Sequence, residues 1–188
     1  MATLILAVLA AAMAAIMPIY LGRKKPDYSH MRHTLSELGE AGSPDARAVS
    51  LYGVLTGLLV MTFLFFAAGD APDVSREAIF MVSLAGIGYI GGSIFPCDSG
   101  APLFRTWRTL FHNVFGSLVY VGGAGAFFAL EREITLPLSI VLKAAGFVVF
   151  AGFFGATFPH PIRGLSQRIA ETVISGGIVV TAWCIYRA

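Results

Sequence analysis

Two histidines and two glutamates lie in the polar stretch from Tyr28 to Glu40, YSHMRHTLSELGE, which separates two long apolar runs. On a helix, His33 and Glu37 fall one turn apart, a spacing that suits two ligands of one ion or a hydrogen-bonded pair. Imidazole nitrogens and carboxylate oxygens are ligands for zinc and iron. We therefore predict His33 and Glu37 as ligands of a divalent metal such as zinc. The spacing of His30 and His33 is too short a pattern to identify the metal.

Three candidate catalytic residues lie at the ends of apolar runs, namely Asp98, His112 and His160. Imidazole titrates near neutral pH, so this set suits general acid and base catalysis with the Asp98 carboxyl. The sequence contains no H-E-x-x-H, G-x-S-x-G or C-x-x-C motif, each of which would indicate a particular catalytic class. The prediction therefore depends on residue type and position alone.

Cationic residues nearby suit a different chemistry, the binding of an anionic headgroup. Guanidinium groups bind phosphate well, and we predict Arg105, Arg163 and Arg168 as substrate-binding residues. We add Lys143, which lies within an apolar run. It either faces a polar interior, as functional ionisable residues do, or reaches the surface along its aliphatic stem. The simpler alternative is that all these groups mark the boundary between lipid and water.

The elements that position these residues are transmembrane helices. Of the 188 residues, 56% are hydrophobic and 13% are charged, whereas about a quarter of the residues in a soluble domain are charged. Apolar runs long enough to cross a hydrocarbon core of about 30 Å recur along the chain, without the alternation of a membrane barrel. We predict an all-α membrane protein, with one domain over residues 1–188 that forms a six-transmembrane-helix bundle. The predicted spans are 3–22, 51–69, 78–96, 112–130, 134–158 and 168–186.

The distribution of lysine and arginine predicts the orientation, because cytoplasmic loops carry an excess of both. The first, third and fifth loops hold nine of the 13 basic residues; the other loops and the C-terminus hold three, and Lys143 lies in the fifth span. Both termini should therefore be outside, with Asp98 and all four histidines at the cytoplasmic face. The first run lacks the basic start of a cleaved signal, so we interpret it as a retained helix. The net charge of +2 gives no indication of nucleic-acid binding.

Residues from Ser29 to Glu40 show the periodicity of an amphipathic inner-face helix. Apolar side chains recur at Met31, Leu35 and Leu38, and the histidines and glutamates fall on the opposite face. Two rotations of this helix are open. The polar face either lies in water, with the helix on the membrane surface, or turns under the bundle toward the candidate catalytic residues.

Four sequence blocks together resemble a known family. They are YSHMRHTLSELGE after the first span, IFPCD at the end of the third, a histidine opening the fourth, and GLSQRIAE entering the last. The combination resembles the domain-of-unknown-function 998 family of bacterial and archaeal integral membrane proteins. The resemblance covers nearly the whole chain and implies a six-span bundle in the cytoplasmic membrane, without implying an activity.

A more remote similarity is to intramembrane hydrolases of the alkaline ceramidase kind, which place serine, aspartate and histidines at one membrane face. This similarity implies Ser36 as a further candidate catalytic residue beside Asp98, His112 and His160. Those enzymes differ from this chain because they have seven spans and a His-x-x-x-His pair in the last one.

Two functional hypotheses follow. In the first, the protein is a hydrolase or binding protein, with or without a metal, that acts on a lipid headgroup or small amphiphile at the cytoplasmic face. In the second, it is a non-catalytic accessory or assembly subunit that binds other membrane proteins through glycine-rich helix faces. The mutual arrangement of the candidate residues discriminates between them.

Overall fold

Six long helices and one short helical turn make up the described part of the chain. The computed structural model describes residues 1–70 and 76–187. The elements are α1 (Ala2–Lys24), α2 (Leu35–Leu38), α3 (Ala46–Asp70), α4 (Arg76–Ile94), α5 (Trp107–Glu131), α6 (Leu138–Thr157) and α7 (Arg163–Arg187). No strand is present within the described ranges, so the predicted all-α class is confirmed.

The long helices pack side by side in a closed ring. Helix α1 lies between α3 and α7, α4 lies between α3 and α5, and α6 lies between α5 and α7. One apolar cluster, which includes Phe63, Phe127 and Val149, forms the core of the ring. Large apolar side chains such as Phe65 and Phe147 remain exposed on the outside of the ring, as expected for helices that contact acyl chains.

Helices α4 and α5 approach each other closely at small residues. A Cβ atom on Gly88 would lie 2.6 Å from the Phe115 carbonyl oxygen, and one on Gly122 would lie 2.4 Å from the Met81 carbonyl oxygen. Because the hydrophobic effect does not drive helices together within lipid, close packing at such residues holds the pair.

Five of the long helices, α1, α3, α4, α5 and α6, have the length and apolar character of membrane spans. Helix α7 has 25 residues, as α3 and α5 do. Its first turns carry Arg163, Gln167, Arg168 and Glu171. It is not among the five helices that meet both criteria in the described ranges. The sixth span therefore stays a prediction.

Candidate active site

Three loops lie at one end of the ring, and the first of them bonds to the second and to the first turn of α7. They connect α1 to α3, α4 to α5, and α6 to α7. The Ala41 amide donates to the Cys97 carbonyl at 2.8 Å, and the Leu165 amide donates to the Met31 carbonyl at 3.0 Å. The Gly100 amide donates to Glu40 Oε2 at 2.7 Å. The three loops that we predicted to share one membrane face, joined through the start of α7, therefore form one connected layer, which we call the loop layer.

The amphipathic helix predicted from Ser29 to Glu40 is absent. Residues 30–33 form turns, and the helix over this stretch is limited to α2. Thr34 begins it with a capping box, in which Glu37 Oε2 accepts from the Thr34 amide at 2.6 Å. The side chains of Thr34 and Glu37 bond the first amides of α2, which in a helix that began earlier would bond to its own carbonyls. Met31 is consequently exposed while Leu38 is buried, so the predicted apolar stripe does not form.

Glu37 anchors α2 to the start of α7. Its Oε1 lies 2.7 Å from Arg163 Nη2, and Arg163 also donates to the Gly100 carbonyl at 3.0 Å. On the other side of the turn, the Leu35 amide donates to Gln167 Oε1 at 2.6 Å. These contacts fix the position of the residue between them, Ser36.

Ser36 forms a hydrogen-bonded pair with His112 near the start of α5. Ser36 Oγ lies 2.8 Å from His112 Nε2. The other ring nitrogen, Nδ1, lies 2.8 Å from the Gly92 carbonyl in the last turn of α4 and 2.9 Å from the carbonyl of Phe95, the residue that follows α4. Carbonyl oxygens only accept, so Nδ1 carries the proton and Nε2 presents its lone pair to the serine hydroxyl. This is the arrangement of a nucleophile, its base and an orienting group.

Asp98 is separate from this pair. Its Oδ2 accepts from the Thr106 and Thr109 hydroxyls, both at 2.7 Å, and Arg108 lies 3.6 Å from Oδ1. The two threonine hydrogen bonds hold the pKa of Asp98 below its usual range. Asp98 thus braces the loop against the first turn of α5, whereas backbone carbonyls occupy the position at His112 that a carboxylate would take in a triad.

The serine–histidine pair lies on the wall of a cavity of about 400 Å³ inside the ring, a size typical of small-molecule sites. The cavity wall also includes Leu103, Phe104, Leu110 and Val114. These four side chains are exposed, so the cavity reaches the outer surface of the bundle.

A buried glutamate, Glu171, lies on the same cavity wall. It is not among the residues predicted for the site. Glu171 is 9% exposed. Tyr120 lies 3.1 Å from Glu171 Oε1, and the Tyr89 hydroxyl bonds to Oε2. Gln167 Nε2 donates to the Tyr120 hydroxyl at 2.9 Å. The signal was available, because an ionisable residue in an apolar run is a functional candidate by default.

Other predicted site residues lie outside the cavity. His33 Nδ1 accepts from the Ser29 amide at 2.9 Å, and His160 Nδ1 accepts from the Ile162 amide at 3.2 Å. Arg105 is exposed. Lys143 bonds to Glu131 at 3.0 Å, at the opposite end of α5 from the loop layer, and is about half exposed. The second of our two alternatives for Lys143, a side chain that extends toward the surface, is thus the one observed.

Arg168 bonds to the turns between α1 and α2 in the loop layer. It donates to His30 Nδ1 at 3.2 Å, to the His33 carbonyl at 3.0 Å and to the Tyr28 hydroxyl. Burial, reinforced by the charges of Arg168 and Arg23, lowers the pKa of His30. Burial also raises the pKa of Tyr28 to about 12. The donors of Arg168 are thus directed to the protein itself.

The predicted zinc ligands have protein partners. Glu37 accepts hydrogen bonds from Thr34 and pairs with Arg163. In the part of the chain that the structure describes, no group of three or more histidine, cysteine, aspartate or glutamate side chains is placed to hold a metal ion. Metal binding by His33 and Glu37 stays a prediction.

These observations define a class, a multi-pass integral membrane protein with a polar site at one end of its helical bundle. The chain belongs to the family described as "Protein of unknown function (DUF998)", which matches residues 8–184. The family resemblance of the sequence blocks is thereby confirmed over nearly the whole chain. No curated protein and no solved structure matches the chain.

Proposed function

We propose that the protein is an intramembrane serine hydrolase that cleaves an ester in an amphiphile drawn from the lipid. The observation that carries this proposal is the 2.8 Å contact of Ser36 Oγ with His112 Nε2 on the wall of a cavity that reaches the bundle surface. Ser36 is the nucleophile and His112 is the general base. Asp98 holds the loop that leads into α5.

The reaction follows from the tautomer of His112. Nε2 takes the hydroxyl proton as Ser36 Oγ bonds to the ester carbonyl carbon. The C–O bond to the alcohol then breaks, and the protonated Nε2 returns the proton to the leaving alkoxide. Water, deprotonated by the same nitrogen, attacks the acyl-serine and releases the acid while Oγ regains the proton. The Gly92 and Phe95 carbonyls hold the ring orientation throughout, the part that a carboxylate plays in other serine hydrolases.

An amphiphilic substrate fits the surroundings of this pair. The cavity wall is largely apolar toward the exposed side chains of Leu103, Phe104 and Val114, which suits an acyl chain entering sideways. Ser36 lies by the loop layer, where the polar headgroup of a lipid would be. An ester joins these two parts in most membrane amphiphiles, so the scissile bond would lie next to Ser36.

The proposal includes a membrane arrangement. We place the single domain, residues 1–188, in the cytoplasmic membrane of a bacterial or archaeal cell, with α7 as the sixth span. The loop layer faces the cytoplasm and both termini face outside. The excess of basic residues in the three loops of this layer supports the orientation.

Labelling of the purified, detergent-solubilised protein with a fluorophosphonate tests the proposal, because this reagent phosphonylates activated serines. We expect stoichiometric labelling of wild type and none of Ser36→Ala. His112→Ala should label at least about 100-fold more slowly, the usual contribution of a general base. A fluorogenic medium-chain ester should show the same ranking in turnover.

Ser50→Ala is the matched control, since Ser50 lines the same cavity. This variant should label and turn over as wild type does. A melting temperature for each variant shows that it is folded. Absence of labelling and ester turnover in folded wild type, or equal labelling of Ser36→Ala, would overturn the proposal and favour the non-catalytic alternative of an accessory subunit.

A further inference from the structure

We infer that the cavity selects an amphiphile bearing an amino or ammonium group, which Glu171 binds. As a statement about substrate, this inference rests on the proposed function; as a statement about binding, it rests on the cavity alone. Among the described residues that line the cavity, Glu171 is the one carboxylic acid, and none is lysine or arginine. A cavity with this wall favours a cation and disfavours the anionic headgroup that the sequence suggested.

The hydrogen bonds around Glu171 leave some of its acceptor sites for a ligand. Gln167 Oε1 accepts from the Leu35 amide, so its Nε2 donates to the Tyr120 hydroxyl. That hydroxyl therefore donates its own proton to Glu171 Oε1, and Tyr89 bonds to Oε2. A carboxylate has about four acceptor sites, so two of them remain for donors of a bound ammonium group.

Aromatic residues complete the ammonium site. Tyr52, Tyr89, Tyr120 and Phe153 line the same cavity. Aromatic rings attract ammonium groups through their negative faces, and the attraction increases where water is excluded. A carboxylate among several aromatic rings is therefore suited to an ammonium group.

The nearest arginine on α7 does not neutralise this site through a direct contact. Arg168 lies one helical turn before Glu171, and its hydrogen bonds go to Tyr28, His30 and the carbonyls of His33 and Gly164. Arg163 pairs with Glu37. Arg163 and Arg168, two of the basic residues that we predicted to hold an anion, thus serve the loop layer, whereas Glu171 lines the cavity and has tyrosine partners.

Binding of matched twelve-carbon compounds tests the inference. Ser36→Ala in nanodiscs of neutral lipid is titrated with dodecylammonium, dodecanol and butylammonium, and affinity is read from the rise in melting temperature. We expect dodecylammonium to bind at least about tenfold more tightly than dodecanol in Ser36→Ala. The added substitution Glu171→Gln, which keeps the shape of the side chain, should abolish this preference, and added Glu131→Gln should leave it intact.

The butylammonium arm distinguishes an amphiphile from a free small amine. A longer chain buries more apolar surface, so dodecylammonium should bind more than tenfold more tightly than butylammonium. Equal affinity for the two amines would overturn the amphiphile assignment. Equal affinity for dodecylammonium and dodecanol would overturn the ammonium assignment.

Fluorophosphonate labelling separates this inference from the proposed function. If Ser36 labels normally and the ammonium preference is absent, the substrate class is wrong and the hydrolase proposal stands. If the preference is present and Ser36 does not label, the ammonium site stands and the hydrolase proposal is wrong.

Discussion

Loss of the Glu37 charge should release the short helix that carries Ser36. Glu37 and Arg163 are 2.7 Å apart, and their side chains are 11% and 12% exposed. Removal of one partner costs about 3–5 kcal/mol for a fully buried pair and below about 1 kcal/mol for an exposed one. Glu37→Gln keeps the capping acceptor, and Arg163 keeps its bond to the Gly100 carbonyl. We therefore expect a cost of about 2 kcal/mol, which is about a 30-fold increase in the opening equilibrium of α2.

The Cys97 thiol measures this opening, because its Sγ lies 3.4 Å from the Ser36 carbonyl oxygen. Burial, followed by the charges of Glu40 and Glu37, raises the pKa of Cys97 to about 12. The closed state therefore reacts slowly with a maleimide, and reaction follows opening. The chain has two cysteines, so a Cys184→Ser background leaves one thiol. In this background, Glu37→Gln should accelerate the maleimide reaction about 30-fold.

Two further variants separate opening from a direct effect of charge on the thiol. Arg163→Met breaks the same pair but retains the Glu37 charge, so its direct effect on the pKa of Cys97 is opposite, yet it should also accelerate the reaction. Glu131→Gln breaks the pair with Lys143 at the other end of α5 and should change the rate less than about twofold. The reasoning is refuted if Glu37→Gln stays within about threefold of wild type, or if Glu131→Gln accelerates the reaction equally.

Three more predictions concern acid stability, helix packing and orientation. The folded-state pKa of Asp98 is lowered, so ionised Asp98 stabilises the fold fully above the unfolded pKa of about 3.9, and this stabilisation is lost as the pH falls through the folded pKa. The melting temperature of Asp98→Asn should therefore fall less than that of wild type between pH 5 and pH 3. Gly122→Ala should lower the free energy of unfolding by about 1–3 kcal/mol, because its Cβ would lie 2.4 Å from the Met81 carbonyl oxygen. A Cβ on Gly176 meets nothing within 4 Å, so Gly176→Ala should not lower the melting temperature. Alkaline phosphatase fused at the C-terminus should be active, and green fluorescent protein at the same place should be dark; the reverse result contradicts the proposed orientation.

The sequence predicted which residues gather at one end of the bundle, because that information is present in the order of the spans. Residues at the ends of alternate spans must lie on the same side of the membrane, and in the structure Ser36, Asp98 and His112 lie at one end of the bundle, although Asp98 does not bond to the Ser36–His112 pair. Helix bounds were less accurate at this end. Helices α3, α5 and α7 begin about one turn before the apolar runs, because polar residues such as Arg47 and Arg108 continue the helix beyond the lipid.

The partners within the site could not be predicted from the sequence. The pairing of His112 with carbonyls depends on where α4 ends and how α5 is rotated against it. The burial of Glu171 depends likewise on the rotation of α7. One error was avoidable. Thr34 and Glu37 have the spacing of a capping box, which indicates a helix start at residue 35, and this local signal overrides the weaker periodicity from Ser29.

The loop layer has a consequence for biosynthesis. Leu35 and its partner Gln167 are 132 residues apart, so the ribosome makes the second roughly 7–26 s after the first, at about 5–20 residues per second. During that interval the Ser36 turn lacks the α7 side chains that fix it, and the cavity lacks Glu171. The nascent chain therefore holds Ser36, the proposed nucleophile, in an unfinished site until α7 packs against α1 and α6. Catalytic competence would begin only when the bundle is complete.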